Sequence, residues 1–181
     1  MAVSKIDFNC PSCGKKNRVK IKNIYSNEDI TNILNRDIFK IECTKCNKTT
    51  ILDYPFTYVD DEHIIYYNME DTIEDNKIKR TCKTFDDIKE KILIFNDNLN
   101  DIIIEYIKLF IESELKKENV YSEVRYDSFI NNELRFYVIN KKEYANIDYS
   151  FYENLITKGK LKEVKDAAVI DANTCLKYFH L

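Results

Sequence analysis

Apolar and polar residues alternate in four short segments near the start of the chain, and a period of two predicts β-strands. The four segments are residues 5–8, 18–24, 39–42 and 50–56. Between the second and third segments, residues 26–29 (Ser-Asn-Glu-Asp) have the form of a capping box, which predicts a short helix that ends near Asn35. Residues 63–67 predict one more strand.

The second part of the chain has the spacing of amphipathic helices. It predicts helices at about 84–95 and 100–117, followed by a β-hairpin at about 120–139 with Asn131 and Asn132 in its turn. Two C-terminal helices are expected, one that ends at Gly159 and one that begins at Asp171. Strands followed by a mixture of helices and strands indicate an α+β fold.

An acidic connector at about residues 70–76 separates these two parts of the chain. We place the domain boundary at its start. The sequence thus predicts a β-domain with a helical insert over residues 1–69. It also predicts an α+β domain over residues 70–181, which begins with the helical pair.

Composition places the chain among ordinary globular proteins. Of its 181 residues, 44% are hydrophobic and 33% are charged, and the net charge is −3. No apolar run approaches the roughly 20 residues that span a bilayer, and the start, MAVSKIDFNC, lacks the features of a signal peptide. We therefore expect a cytoplasmic protein with no membrane partner, whose thiols stay reduced.

Two Cys-x-x-Cys motifs carry the strongest chemical signal in the sequence. They are Cys10-Pro-Ser-Cys13 and Cys43-Thr-Lys-Cys46, and each lies between two predicted strands. Four thiolates from two such hooks make a closed tetrahedral ligand set that suits one structural Zn²⁺. Strand, hook, strand, repeated twice, is the plan of a zinc ribbon, so the N-terminal domain is predicted to be a zinc-ribbon β-domain.

A redox pair of the thioredoxin type is the rival interpretation of Cys10 and Cys13. That chemistry places the first thiolate at the start of a helix, which lowers its pKa. Here Gly14 and a strand pattern follow the second cysteine, and the second motif has no role in a redox pair. Basic residues near the hooks are expected to offset the negative charge of the zinc-thiolate cluster. They are Lys15, Lys16, Arg18, Lys45 and Lys48.

The chain resembles the CpXC-domain family of bacterial proteins. The resemblance rests on the CPSCG motif, the helical insert, residues 37–68 and the helical segment at residues 79–108. The second hook departs from the family pattern, because it reads CTKC and is followed by Asn47 in place of glycine. The family is functionally uncharacterised, so the resemblance implies the zinc site and no activity.

No pattern in the sequence predicts a catalytic centre. His63 lies on a strand beside acidic residues, Cys82 precedes a helix, and Cys175 is expected in the core. We interpret Cys82 as a buried structural thiol and His63 as a structural or solvated residue. Phosphate-binding loops, dinucleotide-binding motifs and nucleophile elbows are absent from the sequence.

Three functional hypotheses follow. The preferred one is a non-enzymatic protein-interaction or regulatory module with a structural zinc ion, which binds another protein through its helical insert or its C-terminal domain. The alternative is a nucleic-acid binder that uses basic residues for phosphates, and Tyr54 and Phe56 for base stacking. These basic residues are Lys15, Lys16, Arg18, Lys20, Lys22, Lys45 and Lys48. The third is an enzyme with an undetected site in the C-terminal domain.

Overall fold

A computed structural model describes residues 3–70 and 73–181 of the chain. The fold is mixed α+β, with four α-helices and several small sheets in these residues. Contacts divide it into two compact units, Met1–Phe85 and Asp86–Leu181. The division lies after the acidic connector in the chain, because strand Ile78–Cys82 pairs with strand His63–Tyr67 inside the first unit. Asp71 and Thr72 of the connector lie outside the described residues.

The first unit contains two antiparallel hairpins of similar design. Strands β1 (Val3–Asn9) and β2 (Lys16–Lys22) form one, and β4 (Lys40–Glu42) and β5 (Thr49–Ile51) form the other. The short strand β3 (Ile24–Tyr25) follows the first hairpin. The segment predicted as one strand over 50–56 is interrupted before Phe56. Pro55 in the interruption has no N–H to donate to a ladder.

A four-stranded sheet forms the rest of the first unit. Its order is β3, β6 (Phe56–Val59), β7 (His63–Tyr67) and β8 (Ile78–Cys82), with β6 and β7 antiparallel and the outer pairs parallel. Aromatic rings fill its core. The Phe39 ring lies 5.3 Å from Tyr54, 6.0 Å from Phe56 and 5.4 Å from Phe85. Burial of these rings adds a large apolar contribution to the core of the unit.

The helical insert packs back onto this core. It begins with a 3₁₀ turn at Asn27–Asp29 and continues as helix α1 (Ile30–Leu34), whose Ile33 is fully buried. Ser26 N–H donates to Asp29 Oδ2 at 2.9 Å, as the capping box predicts. The Tyr58 hydroxyl donates to Asn27 Oδ1 at 2.6 Å and fixes the start of the insert.

The second unit combines helices with a three-stranded sheet. Helix α2 (Phe85–Asn96) leads into it, and α3 (Asp101–Lys117) is capped by Asn100, whose Oδ1 accepts from two backbone N–H groups. Strands β9 (Val124–Ile130) and β10 (Glu133–Val138) form a hairpin turned by Asn131 and Asn132, with φ values of 53° and 65°. Positive φ at both positions is the geometry of a two-residue hairpin turn.

Strand β11 (Glu143–Asp148) pairs with β10 and was not predicted from the sequence. Helix α4 (Tyr149–Lys158) follows it, with its N-terminus capped by Asp148. Within the described residues, no helix is long and apolar enough to cross a membrane.

The prediction of a terminal helix from Asp171 is wrong. The structure has a 3₁₀ turn at Cys175–Lys177, then strand β13 (Phe179–His180), which pairs with β12 (Lys160–Leu161). Phe179 is buried against the Tyr106 ring at 4.8 Å and covers Gly159 closely. Burial of this ring and pairing with β12 therefore outweigh the local helical preference.

Candidate metal centre

The two cysteine hooks occupy the turns of the two hairpins in the first unit. In the first hook, Cys10 N–H donates to Lys15 O at 2.9 Å, and Gly14 N–H donates to Cys10 O at 2.9 Å. The second hook has the same pair of hydrogen bonds. Cys43 N–H donates to Lys48 O at 3.0 Å, and Asn47 N–H donates to Cys43 O at 2.9 Å. Two six-residue turns of one design thus present two cysteines each.

The residue after each second cysteine has a left-handed backbone. Gly14 has φ 68° and Asn47 has φ 55°. Glycine adopts this region freely, and asparagine is among the few other residues that tolerate it. The departure from the family pattern at Asn47 therefore leaves the turn intact.

The four sulfur atoms of the hooks form one cluster. The Sγ atoms of Cys10, Cys13, Cys43 and Cys46 all lie within 4.8 Å of one another. Cys10 Sγ is 3.7 Å from Cys46 Sγ, and Cys13 Sγ is 3.7 Å from Cys43 Sγ. A disulfide bond is about 2.05 Å long, so these contacts are not disulfides. A tetrahedral ion with metal–sulfur bonds of about 2.3 Å places its sulfurs about 3.8 Å apart. The cluster could therefore hold a metal ion.

Two thiols of the cluster have pKa values shifted in opposite directions. The backbone N–H groups of Lys45 and Cys46 hold the pKa of Cys43 down to about 6. The Lys15 N–H also favours the Cys13 thiolate, but burial and the neighbouring thiols raise the pKa of Cys13 to about 11. Ionisation of one sulfur opposes ionisation of the next. A divalent cation would resolve this conflict, because its charge would stabilise all four thiolates together.

Asn17 links the two hooks and was missed by the sequence analysis. It is buried, and its Nδ2 donates to Lys15 O at 2.8 Å and to Cys43 Sγ at 3.6 Å. Its Oδ1 accepts from the backbone N–H of Thr44 at 3.1 Å and from the Thr44 hydroxyl at 2.8 Å. Nothing in the sequence marks Asn17 for this role, because its burial and its contact with Thr44 arise only when the two hairpins come together.

Two of the basic residues near the hooks form ion pairs with an aspartate of the protein. Arg18 Nε and Nη2 donate to the two carboxylate oxygens of Asp7, at 2.6 and 3.0 Å. Lys16 lies 3.7 Å from the same carboxylate. Strand pairing explains this arrangement, because Asp7 and Arg18 are direct partners in the ladder. Lys15, Lys45 and Lys48 are exposed beside the hooks.

The structure does not bring the other candidate residues together. His63 Nδ1 lies 3.0 Å from Asp60 Oδ1 at the start of β7. Cys82 is buried and pairs with Tyr67 at the opposite end of that strand, about 13 Å along the strand from His63. Cys175 lies buried in the second unit, where burial raises its pKa to about 11. A thiol of this kind is a poor nucleophile at neutral pH.

Tyr54 and Phe56 are core residues, so the prediction that they stack on nucleic-acid bases is wrong. Phe56 is fully buried, and the Tyr54 hydroxyl donates to Ile38 O at 2.8 Å. Alternation placed both rings on a strand. It did not show that the Phe39 ring packs against both of them.

Comparison with known proteins agrees with this arrangement of cysteines. Residues 8–77 match the model of the CpXC protein family, and all four hook cysteines fall within the match. The match ends before the helical segment at 79–108, to which the sequence resemblance also extended. Neither a search of curated proteins nor a search of solved structures found a match. The family is a domain of unknown function. Residues 8–77 of this chain are therefore similar to the CpXC protein family, and the match covers less than half of the chain.

Proposed function

We propose that this chain is a zinc-ribbon protein that binds another protein and does no catalysis at its metal. Zn²⁺ would be held by Cys10, Cys13, Cys43 and Cys46 as a structural ion. The observation that carries this proposal is the closed set of four sulfurs, all within 4.8 Å of one another.

The choice of zinc follows from the donor atoms. Four thiolates in tetrahedral spacing are a soft ligand set, which favours zinc or iron over magnesium and calcium. Two matched hairpin turns, each with two cysteines, are typical of structural zinc sites. A reducing compartment such as the cytoplasm would keep the thiols available for the metal.

A structural role for the ion follows from the completeness of its ligand set. Catalytic zinc sites keep a coordination position open for water or substrate. Here four protein sulfurs fill the tetrahedron, and Cys10 and Cys43 are buried. The small apolar cluster around them contains Phe8, Val19, Ile41 and Leu52, so the ion would supply much of the local folding energy.

Metal analysis of the purified full-length chain tests this proposal. We expect about one zinc per chain, and a chelator should remove the metal and lower the melting temperature. The variants Cys82→Ala and Cys175→Ala should keep their zinc, because both residues lie outside the cluster. Folded protein without metal would overturn the proposal, and iron in place of zinc would overturn the identity of the ion.

The interaction role has its own test. Affinity purification of the zinc-loaded chain from its native host should return a stable protein partner. Repeated purification that returns no partner, with zinc retained, would refute the interaction role while leaving the structural metal in place.

Nucleic-acid binding is the second candidate function, and the exposed Lys15, Lys45 and Lys48 beside the hooks favour it. The ion pairs of Asp7 with Arg18 and Lys16 weigh against it, since they occupy two of the proposed phosphate ligands. Retention on single-stranded DNA at low salt, lost as salt rises, would support this candidate. Absence of binding at low salt would exclude it.

A further inference from the structure

The second unit contains a cleft between helix α2 and the three-stranded sheet. Its volume is about 360 Å³, near the lower end of the range for small-ligand pockets. Helix α2 contributes one wall with residues spaced along a single face. These are Asp86, Lys89, Glu90 and Leu93. The sheet contributes the other wall, which includes Arg125, Tyr137 and Tyr144.

Negative charge predominates in the lining of this cleft. Four carboxylates line it, and only two cations, Lys89 and Arg125, accompany them. The carboxylates are Asp86, Glu90, Glu123 and Asp127. Walls of low polarity strengthen the field of such charges.

Arg125 does not offer its charge to a ligand, because carboxylates of the protein already engage it. Its Nη1 lies 2.8 Å from Asp87 Oδ1 and 3.1 Å from Glu90 Oε2, and its Nη2 pairs with Glu123. Burial would lower the pKa of Arg125, but these carboxylates raise it above its ordinary value. The guanidinium is thus a fixed part of the wall. Glu90 also pairs with Lys108 Nζ at 2.9 Å, so the negative charge that an incoming group meets comes from Asp86, Glu123 and Asp127.

Aromatic and aliphatic groups complete the cleft. The Tyr137 and Tyr144 rings lie 5.3 Å apart, and half of Tyr144 is exposed. Ile139, which directly follows β10, is also partly exposed. The Arg135 guanidinium carbon lies 4.2 Å from the centre of the Tyr144 ring, so a cation of the protein already covers one face of this ring.

We propose that this cleft binds a basic segment of a partner protein by receiving an arginine or lysine side chain. The carboxylates at the rim would hold the cationic head, and Leu93, Tyr137 and Ile139 would contact the aliphatic stem. This inference rests on the proposed interaction function and names the chemistry of the partner. Of the two cations that line the cleft, Arg125 pairs with lining carboxylates, whereas Lys89 makes no such ion pair among the described residues. The charge of Lys89 would therefore oppose binding.

A pair of labelled peptides tests the proposal on the full-length, zinc-loaded chain. One peptide carries arginines separated by glycines, and the other carries citrulline at each arginine position. Fluorescence anisotropy at low salt should show binding of the arginine peptide only, because citrulline keeps the shape and removes the charge. Equal binding of both peptides, or binding of neither, would overturn the proposal.

Two double variants with the same loss of charge locate the site. Glu123→Gln with Asp127→Asn alters the cleft, whereas Glu153→Gln with Asp166→Asn removes two exposed carboxylates that do not line it. We expect affinity for the arginine peptide to fall about tenfold in the first variant and by less than about twofold in the second. Similar losses in both would show general electrostatic attraction and refute the cleft as the site.

A gain of affinity provides a test that does not depend on damaging the fold. Lys89→Gln should strengthen binding of the arginine peptide by about threefold, because it removes the opposing charge. Unchanged or weaker binding would contradict the proposal. Spermine that binds as tightly as the peptide would also overturn it, since the occupant would then be a small cation. None of these outcomes alters the zinc content, so failure here is distinguishable from failure of the zinc site.

Discussion

The Oδ1 atom of Asn17 accepts a hydrogen bond from the Thr44 hydroxyl at 2.8 Å, although 26 residues lie between them in the chain. This bond joins the strand that leaves the first hook to the first residue inside the second hook. The same amide donates to Cys43 Sγ at 3.6 Å. Groups that orient metal ligands in this way commonly affect metal affinity as much as they affect folding.

We therefore expect Asn17→Ala to weaken zinc binding by about 10- to 100-fold. The substitution removes the donor to Cys43 and leaves two Thr44 donors without their acceptor. Competition with a chromophoric chelator measures the affinity. Asn32→Ala is the matched control, since Asn32 is exposed on α1. Equal affinity of the Asn17 variant and the wild type would show that the hooks keep their geometry without this link.

Cys13→Ser should unfold the first unit and leave the second unit helical. Loss of one thiolate opens the ligand set, and the small apolar cluster around the hooks offers little to replace it. Zinc content, together with circular dichroism, checks both parts of this expectation. Cys82→Ala is the control, because this buried thiol lies in β8 outside the cluster. An unchanged melting curve with full zinc content would contradict the prediction.

Gly159→Ala should destabilise the chain by about 1–3 kcal/mol through overpacking. An added Cβ would lie 2.2 Å from the Phe179 ring and 2.7 Å from Leu155 O, so the ring must move. Urea denaturation gives the change in free energy of unfolding. Combination with Phe179→Leu should recover part of the loss, as expected for residues in direct contact.

Gly14→Ala separates this steric effect from backbone strain. Gly14 has φ 68°, but an added Cβ there meets nothing within 4 Å. We expect a cost of about 1 kcal/mol from the left-handed conformation alone, and Phe179→Leu should not change it. Additive losses for Gly159→Ala and Phe179→Leu would refute the steric explanation.

Lys108→Met should cost about 3–5 kcal/mol, because it leaves buried carboxylates without their cation. Lys108 Nζ lies 2.9 Å from Glu90 Oε1 and 2.9 Å from Glu105 Oε2, and all three side chains are at most 8% exposed. Lys117→Met is a matched control on the same helix. Lys117 pairs with Glu114 at the same spacing, but its side chain is 67% exposed, so a loss below about 1 kcal/mol is expected.

The same contact predicts the pH dependence of stability. Burial lowers the pKa of Lys108, but the charges of Glu90 and Glu105 outweigh this effect and raise it. A raised pKa in the folded state means that the stabilisation is complete below the unfolded value of about 10.4 and is lost as pH rises through the folded value. The difference in stability between the wild type and Lys108→Met should therefore shrink in strong alkali. A difference that stays constant with pH would contradict this assignment.

Local sequence signals predicted the parts of the molecule that local geometry determines. Cys-x-x-Cys spacing, a residue suited to positive φ after it, and alternation on both sides located the hooks. Asn131 and Asn132 located the hairpin turn for the same reason. Each of these features depends on a few adjacent residues, so one sequence is enough to show it.

Features that depend on distant residues could not be predicted in this way. Lys91 and Lys108 have the spacing of solvent-facing residues on amphipathic helices, yet both are buried with Glu90, Asp101 and Glu105. The approach of α2 and α3 pairs Lys91 with Asp101 and Glu105, and it pairs Lys108 with Glu90. Asn17 likewise has no mark that separates it from other strand residues until Thr44 lies beside it. The C-terminal strand forms because the Phe179 ring packs against Gly159, which is distant in sequence.

Each hairpin of the first unit supplies half of the sulfur set, and the chain between them contains Ile33 and Phe39 of the core. A metal that joins the hairpins holds the two ends of that segment together in the folded state, and its binding energy offsets the entropy cost of closing the loop. Phe39 belongs both to this tied segment and to the ring cluster of the four-stranded sheet. Metal supply would then set the folded population of the whole unit, and a chelator would act on it as a denaturant.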